Sequence, residues 1–504
     1  MAKYKPYTYA QDMLIPVSLR EQLMPGTLEF AIHTLVDERM DVSIFDEKYR
    51  NDETGRRAYD PRILLKVVLL GYSRGLISSR KIEQACKENV VFMALSCGQY
   101  PDHSTIAPFV ASMKDEILPL FRDVLLVCEE MNLLGGTFFA LDGCKLKCNA
   151  SPQWSRTVSE LRAKREKLGE KVKELLTEQE KEDRKEDDDS PSPDNRSHRG
   201  KQIDKLKKEA DRIEAWLKEN GERLGVSGKE IKSNMTDNES SKMVTSNGTV
   251  QGYNGQALVD SKRQVIVHAE VFGTGHDHGL VPPMLDGAME NLEKIGLSRD
   301  YFKGTTFAAD SGYHSKSNIQ KCEDEKLDAY IPDKRLRTRD PLYGEWRRQG
   351  RMTRTHYALG DFLYNEEEDH YVCPNGKILR LRVKQSAYTG NVYRTYRAQE
   401  HDCSGCGLRE KCLYGKARGP KNLMVPIGPD GINLTKLMIE KIESEKGRKI
   451  YPQRMAIVEP VFGNIRTNKR LDRFTLRGKI KVNIQWLLYC MVHNIEKIAN
   501  YGFA

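Results

Sequence analysis

The sequence predicts a mixed α/β fold preceded by an all-helical N-terminal region, and three observations carry that expectation. Apolar residues recur at helical spacing between Asp60 and Cys128, where Leu64, Val67 and Val68 open one stripe and Ile106, Phe109, Val110, Met113, Ile117, Leu120, Phe121 and Val124 sustain another. Two short β-branched and aromatic runs, residues 137–141 and 305–309, each stop at an aspartate, Asp142 and Asp310. Further strands at 256–259 and 264–272, joined through Asp260, Ser261 and Lys262, and a helix at 280–294 complete the alternation of a mixed layer.

Within the N-terminal helices, Ser78 and Ser79 begin a short helix running to Asn89. Residues 102–105 offer N-cap side chains, with Pro108 in the first turn that follows. This order reads as a helix-turn-helix in which Ser104 and Thr105 open the recognition helix; a plain helical bundle fits the same pattern equally. After Asn149 the layer is interrupted by a charged segment. Val158, Leu161, Leu168, Val172 and Leu175, then Ile203, Leu206, Ala210, Ile213 and Leu217, recur at heptad-like spacing on either side of a Ser-, Pro- and Asp-rich stretch at 190–200, which reads as a loop. An antiparallel helical hairpin is the economical reading, as an arm for dimerisation or DNA, or as a solvated pair with no partner.

A chain of 504 residues with 39% apolar and 8% aromatic content divides naturally into two to four domains. No run approaches ~18 apolar residues and the N-terminus lacks a secretory pattern, so a cytoplasmic protein without a membrane partner is expected. The formal charge of +9 is modest, but its distribution is uneven: acids bunch at 178–189, and Arg466, Lys469, Arg470, Arg473, Arg477, Lys479 and Lys481 form a basic stretch suited to a phosphate-rich partner. Most of the eleven cysteines, such as Cys86, Cys128 and Cys490, stand alone in apolar contexts as reduced core thiols.

Phosphoryl transfer on DNA is served by two cations ~4 Å apart, held by hard oxygen ligands from different elements. Asp142 at a strand end, with Gly143 permitting a tight exit and Lys145 and Lys147 sharing one face beyond it, suits such a site and a phosphate substrate. Asp310 is followed by Gly312, which allows a sharp turn, and by His314 and Ser315, which suit backbone contact or capping. Pro460 places Glu459 at or just before a helix N-terminus, where the dipole favours the carboxylate. Arg466 and Arg470 then return to nearly the same helical face to meet DNA phosphates. Singly, each acid is more often a turn, cap or helix-start residue. No phosphate-binding glycine loop is present, and the His276-Asp277-His278 cluster reads as a polar loop near DNA.

Taken together, Asp142-Gly143 with the trailing Lys-x-Lys-x-Asn-Ala-Ser, the strand at 252–260, Ala-Asp-Ser-Gly-Tyr-His around Asp310, and Val-Glu-Pro-Val-Phe-Gly around Glu459 with Arg473, Phe474, Leu476, Arg477 and Gly478 resemble a DDE transposase of bacterial insertion sequences. The N-terminal helices from Tyr59 to Phe109 resemble the domain that precedes this core. The resemblance implies an RNase H-like catalytic core, with Asp142, Asp310 and Glu459 holding two Mg²⁺ or Mn²⁺ ions. It also implies cleavage at transposon terminal inverted repeats and transfer of the 3′-hydroxyl to target DNA by a homodimer or larger assembly on double-stranded DNA in the bacterial nucleoid. A metal-dependent nuclease that does not join strands, or a catalytically silent DNA-binding protein, keeps the same scaffold. Many relatives carry Tyr, Arg and Glu on one helix with two and three intervening residues. Here Tyr451 and Arg454 are present, but four residues separate Arg454 from Glu459, which with Pro460 argues against one helix through all three.

Cys403, Cys406 and Cys412 follow C-x₂-C-x₅-C, and Cys373 precedes them in a knuckle-like Cys-Pro-Asn-Gly, with His370 and His401 as alternatives. Four thiolates suit one structural Zn²⁺. The expected organisation is a helical DNA-binding domain at 1–131, a catalytic core at 132–150 and 235–335, the charged hairpin at 151–234, a β-rich Cys-containing insertion at 336–445, and C-terminal core helices at 446–504. Basic and polar residues expected on DNA are Lys145, Lys147, Ser104, Thr105, His314, Arg454, Arg466, Arg470, Arg473 and Arg477.

Overall fold

The computed structural model describes residues 17–502 except 50–56, 184–192, 225–227, 229, 246–247, 340–355, 358, 389–390, 414–418 and 428–432. The described residues fall into two compact units, the first within 1–277, 283–305 and 455–504, the second within 278–282 and 306–454.

The first unit opens with α1 (Leu28–Thr34), α2 (Pro61–Ser73), α3 (Ser79–Glu88), α4 (Val90–Leu95), α5 (His103–Ala111) and α6 (Ile117–Glu130). Their starts follow capping chemistry. Asp60 accepts from the Arg62 amide in front of Pro61, and Asp102 accepts from the Thr105 amide at 2.7 Å. The apolar stripe expected to run on from Ile106 to Val124 is broken between α5 and α6, and Pro108 lies in the second turn of α5 rather than its first.

β1 (Phe138–Lys147) and β2 (Ser155–Arg156) lead into the charged hairpin of α7 (Val158–Asp183) and α8 (Pro193–Glu219). Residues 193–200, expected in the loop, are helical from Pro193 onward; the rest of that loop and most of the acidic run lie outside the described residues. The hairpin is zipped by Leu161 against Ile213 and by Val172 and Leu175 against Ile203, with Trp154 between the cations of Lys164 and Arg212. β3 (Arg223–Leu224), β4 (Glu230–Ile231) and β5 (Ser233–Asn234) return the chain, and β2 pairs with β5 at the hairpin's base.

β6 (Ser241–Thr245), β7 (Gly248–Asp260), β8 (Ile266–Phe272) and α9 (Val281–Lys294) follow. β7 is antiparallel to β1, β6 and β8. Its pairing with β1 runs unbroken from Phe139↔Asp260 to Lys147↔Gly252, so Asp142, opposite Ala257, lies inside the strand and not at its end. Gly143 therefore makes no exit; it makes room for Gln256, whose side-chain nitrogen would stand 2.0 Å from any Cβ there.

The second unit contains β9 (Thr306–Ala309), α10 (Lys316–Asp324), β10 (Asp328–Tyr330), parallel to β9, and α11 (Leu336–Arg339). Parallel and antiparallel pairs thus both occur, as a mixed α/β fold requires. The expected β-rich segment is a five-stranded antiparallel sheet in sequential order: β11 (Leu363–Asn365), β12 (His370–Val372), β13 (Ile378–Tyr388), β14 (Asn391–Ala398) and β15 (Asn422–Ile427). The strand expected over 387–396 is the meeting of β13 and β14, with 389–390 outside the described residues. Leu379, Tyr396, Leu423 and Val425 fill its core. α12 (Glu400–Ser404) and α13 (Arg409–Cys412) lie between β14 and β15, and α14 (Leu434–Glu443) and α15 (Glu445–Ile450) close the unit, with Lys441 and Lys446 both on the Asp328 carboxylate.

α16 (Gln453–Gly463), a π-helical turn at Asn464–Asn468 and α17 (Lys479–Tyr501) return to the first unit. α17 is its central post. Trp486, Tyr489, Cys490 and Val492 are fully buried, and Tyr489 stacks on Tyr72 of α2 at 4.7 Å. Its asparagines cover β8: Asn494 accepts from the Ile266 amide and donates to the Ile266 carbonyl, both at 2.8 Å, and Asn483 accepts from the Val271 amide at 3.0 Å. Among the described residues, no helix is long and apolar enough to cross a membrane.

Candidate active site

Asp142 and Glu459, far apart in sequence, line one cavity of about 460 Å³ in the first unit together with Phe462, Arg466 and Asp472. β1 supplies Asp142, and the Gly143 amide donates to its Oδ1 at 2.8 Å. Strand alternation puts Cys144 and Leu146 on the Asp142 face, and Lys145 and Lys147 on the other. The two lysines therefore do not flank the acid as expected. Cys144 is buried between opposite influences: desolvation pushes its thiol up to about 12, Arg466 pulls it down and Asp142 adds to the rise. It is an inert wall of the cavity.

Glu459 sits well inside α16, not at its N-terminus, so the helix dipole does not act on it as expected. The helix continues through Pro460 because the carbonyl that the proline leaves without its helical donor, that of Ala456, accepts from the Gln264 side-chain amide at 3.0 Å. Phe462, Gly463 and Arg466 then follow Glu459 into the cavity at helical spacing. Arg454 lies on α16 with Glu459, five residues earlier and about 140° round the helix, while Tyr451 falls before α16, so no single helix runs through all three, as expected. Tyr451 ends α15 and precedes α16. Arg470 is beyond the helical turn with φ of +55°, its stem against Gly75, and so does not share a helical face with Arg466.

Asp310 belongs to the second unit. It directly follows β9, as expected, and caps the next turn by accepting from the Gly312 amide at 2.7 Å. Gly312 serves through that amide, its φ not being positive. His314 Nδ1 stands 2.8 Å from the Ile331 carbonyl, a bond that places its proton on Nδ1. Asp277 accepts from Asn254 at 2.7 Å and Gln256 at 3.2 Å, on the face of the sheet shared by Gly143 and Lys145. Ser104 and Thr105 open α5 as expected, Ser104 donating to Asp102. Asp472 was not anticipated: it stands in irregular chain outside any recognisable motif.

Cys373, Cys403, Cys406 and Cys412 line one small cavity of about 30 Å³ in the second unit. The Lys377 amide approaches Cys373 Sγ at 3.3 Å, and Asn375 approaches Cys406 Sγ at 3.5 Å. Burial raises the Cys412 thiol above its ordinary value, and Lys421 acts in the opposite sense. Among the described residues, no group of three or more His, Cys, Asp or Glu side chains is set to hold a metal ion as it stands.

Comparison with known proteins adds the following. No curated protein matches the chain. A solved piggyBac transposase synaptic complex with hairpin DNA is 11% identical over 95% of this chain and 74% of its own, with a TM-score of 0.28, too distant a likeness to carry any argument. Two family models match: a transposase domain (DUF772) over residues 17–112, spanning α1 to α5, and a transposase DDE domain over residues 372–499, which takes in the four cysteines, Glu459 and nearly all of α17. Matched to a transposase model toward each end, the chain carries transposase-family domains consistent with a DDE transposase of insertion-sequence type.

Proposed function

We propose that this chain is a DNA transposase with an RNase H-like core that cleaves double-stranded DNA at insertion-sequence ends and joins the freed 3′-hydroxyl to target DNA. The observation that carries the reading is the cavity shared by Asp142 and Glu459, with the Arg466 guanidinium in its wall. Two carboxylates from a rigid strand and a helix supply hard oxygens while leaving the positions for water and substrate oxygen that Mg²⁺ or Mn²⁺ requires, so the donor set fits. Asp310 is the third proposed ligand. Bound divalent cations would lower the pKa of an attacking water or hydroxyl and stabilise the leaving oxygen. Asp142 and Glu459 position that chemistry, and Arg466 faces the charge that develops on the phosphate. The four-cysteine cavity is proposed to take one structural Zn²⁺, and the active assembly to be a homodimer or larger on DNA.

The test is a joining assay. Labelled donor DNA carrying the element's ends, incubated with protein, Mg²⁺ and a plasmid, should yield donor covalently attached to plasmid. Cleavage without attachment would make the protein a nuclease, and binding without cleavage would leave a silent DNA-binding protein.

A further inference from the structure

A second cavity of about 490 Å³ lies on the first unit where β1 ends. Lys147, Asn149, Arg473 and Arg477 line it together with Thr236 and Thr249, and no carboxylate does so among the described residues. The wall is built, not incidental. The Phe474 amide donates to the Lys147 carbonyl at 2.8 Å, and Lys147 and Arg473 form a parallel bridge. Asn149 ties the segment together: its side-chain amide donates to the Thr475 carbonyl at 3.3 Å, its side-chain oxygen accepts from Arg473 at 3.4 Å, and its carbonyl accepts from Arg477 Nε at 2.5 Å. Among the described residues neither arginine pairs with a carboxylate, and exposed Lys147 has no ion pair. Three cations held around one hollow without an acid make a positive field that attracts an anion.

We propose that this cavity binds a backbone phosphate of DNA close to the cutting site. The inference rests on the transposase reading and adds to it a defined phosphate seat separate from the Asp142–Glu459 cavity. Two features set the spacing. Asp472 lines the first cavity and the adjacent Arg473 lines the second. Along β1, Asp142 and Lys147 are five residues apart, about 17 Å at the strand rise. Lys147 projects from the opposite face of β1 to Asp142, so the strand rise gives the scale of the separation and not a nucleotide count. Guanidinium groups suit this seat because their fork donates two parallel N–H bonds to phosphate oxygens.

The experiment measures binding of a fluorescein-labelled random-sequence 30-base-pair duplex by anisotropy, without added Mg²⁺, from 50 to 300 mM salt. It uses the full chain, the double variant Arg473→Gln/Arg477→Gln and the single variant Lys147→Gln, whose side chain makes no hydrogen bond among the described residues. Lys207→Gln/Lys208→Gln on α8 is the control. Loss of one phosphate contact lowers the salt slope of log K by about 0.9 and weakens binding roughly tenfold at 0.1 M salt. Both cavity variants should show a reduced slope, the double variant the fuller loss, with the control unchanged. Full-chain binding with the same slope in every variant overturns the seat and leaves the transposase reading standing. No duplex binding by the full chain overturns both.

Discussion

Gln264 and Ala456 are joined at 3.0 Å by a side-chain amide that replaces the helical donor missing at Pro460. Gln264 adopts φ of +59°, and its two oxygens are engaged as well: the carbonyl by His493 Nε2 at 2.9 Å and Oε1 by Lys497 at 3.0 Å. One residue thus fastens the Glu459 helix to α17. Gln264→Leu should destabilise the protein by about 0.5–1.5 kcal/mol. In a Pro460→Ala background, where the backbone bond can re-form, the cost should shrink, giving a coupling of at least about 0.5 kcal/mol. Urea denaturation of the four proteins of this cycle measures it, and strictly additive losses would show that Gln264 is not the substitute donor.

Asp142→Asn, Asp310→Asn and Glu459→Gln should each abolish strand cleavage while leaving binding to transposon ends largely intact, because each removes a metal-ligating charge with little change of shape. Double variants should be scarcely slower than singles, as for groups that act as a unit. Cleavage retained by one variant removes that residue from the site.

Zinc should accompany the purified chain at about one ion per molecule, and Cys406→Ser should lower that ratio and expose the five-stranded sheet to protease. Elemental analysis decides the point. A zinc-free chain with the same protease resistance would leave the cysteines as packing residues around the Leu379 and Tyr396 core.

End-specific binding should depend on Ser104 and Thr105. Removing the N-terminal helices would also strip Tyr72 and its neighbours from α17, so point variants give the cleaner reading. Ser104→Ala/Thr105→Ala should alter the footprint on transposon ends while the melting temperature stays within a few degrees. An unchanged sequence preference counts against α5 as the reading helix.

Acid should weaken the fold below neutrality. Burial lowers His268 to about 4 and His493 to about 3, both from 6.5. Each is neutral when folded and takes up a proton on unfolding below pH 6.5. Their contribution is therefore complete above that pH and is lost as pH falls toward 4 and then 3, by up to about 1.4 kcal/mol per pH unit for each group. Denaturation at pH 7, 6 and 5 should show this slope, and His268→Asn should reduce it.

The acids are legible in the sequence as candidates; their settings are not. Asp142 and Asp310 were legible because apolar runs lead up to them, and Glu459 because of the residues around it. The continuation of β1 through Gly143, Lys145 and Lys147 was not legible, since those residues favour strands poorly and are held extended by pairing with β7, which is remote in sequence. Pro460 was misleading for a related reason: its compensating donor, Gln264, is remote in sequence. The same distance separates Arg473 from Asn149, so the second cavity had no local signature.

The first unit is assembled from pieces that the second interrupts: nothing within 306–454 belongs to it, yet α17 passes through the middle of its core. Residues up to 305 are therefore synthesised well before the post on which they pack, and their apolar faces wait uncovered while the intervening chain is made. Closing so long a loop is slow, and the waiting surface is prone to aggregate. Supply of folded protein should be governed by this delay, so helper chaperones or a lower growth temperature should raise the yield of folded protein more than added transcript does.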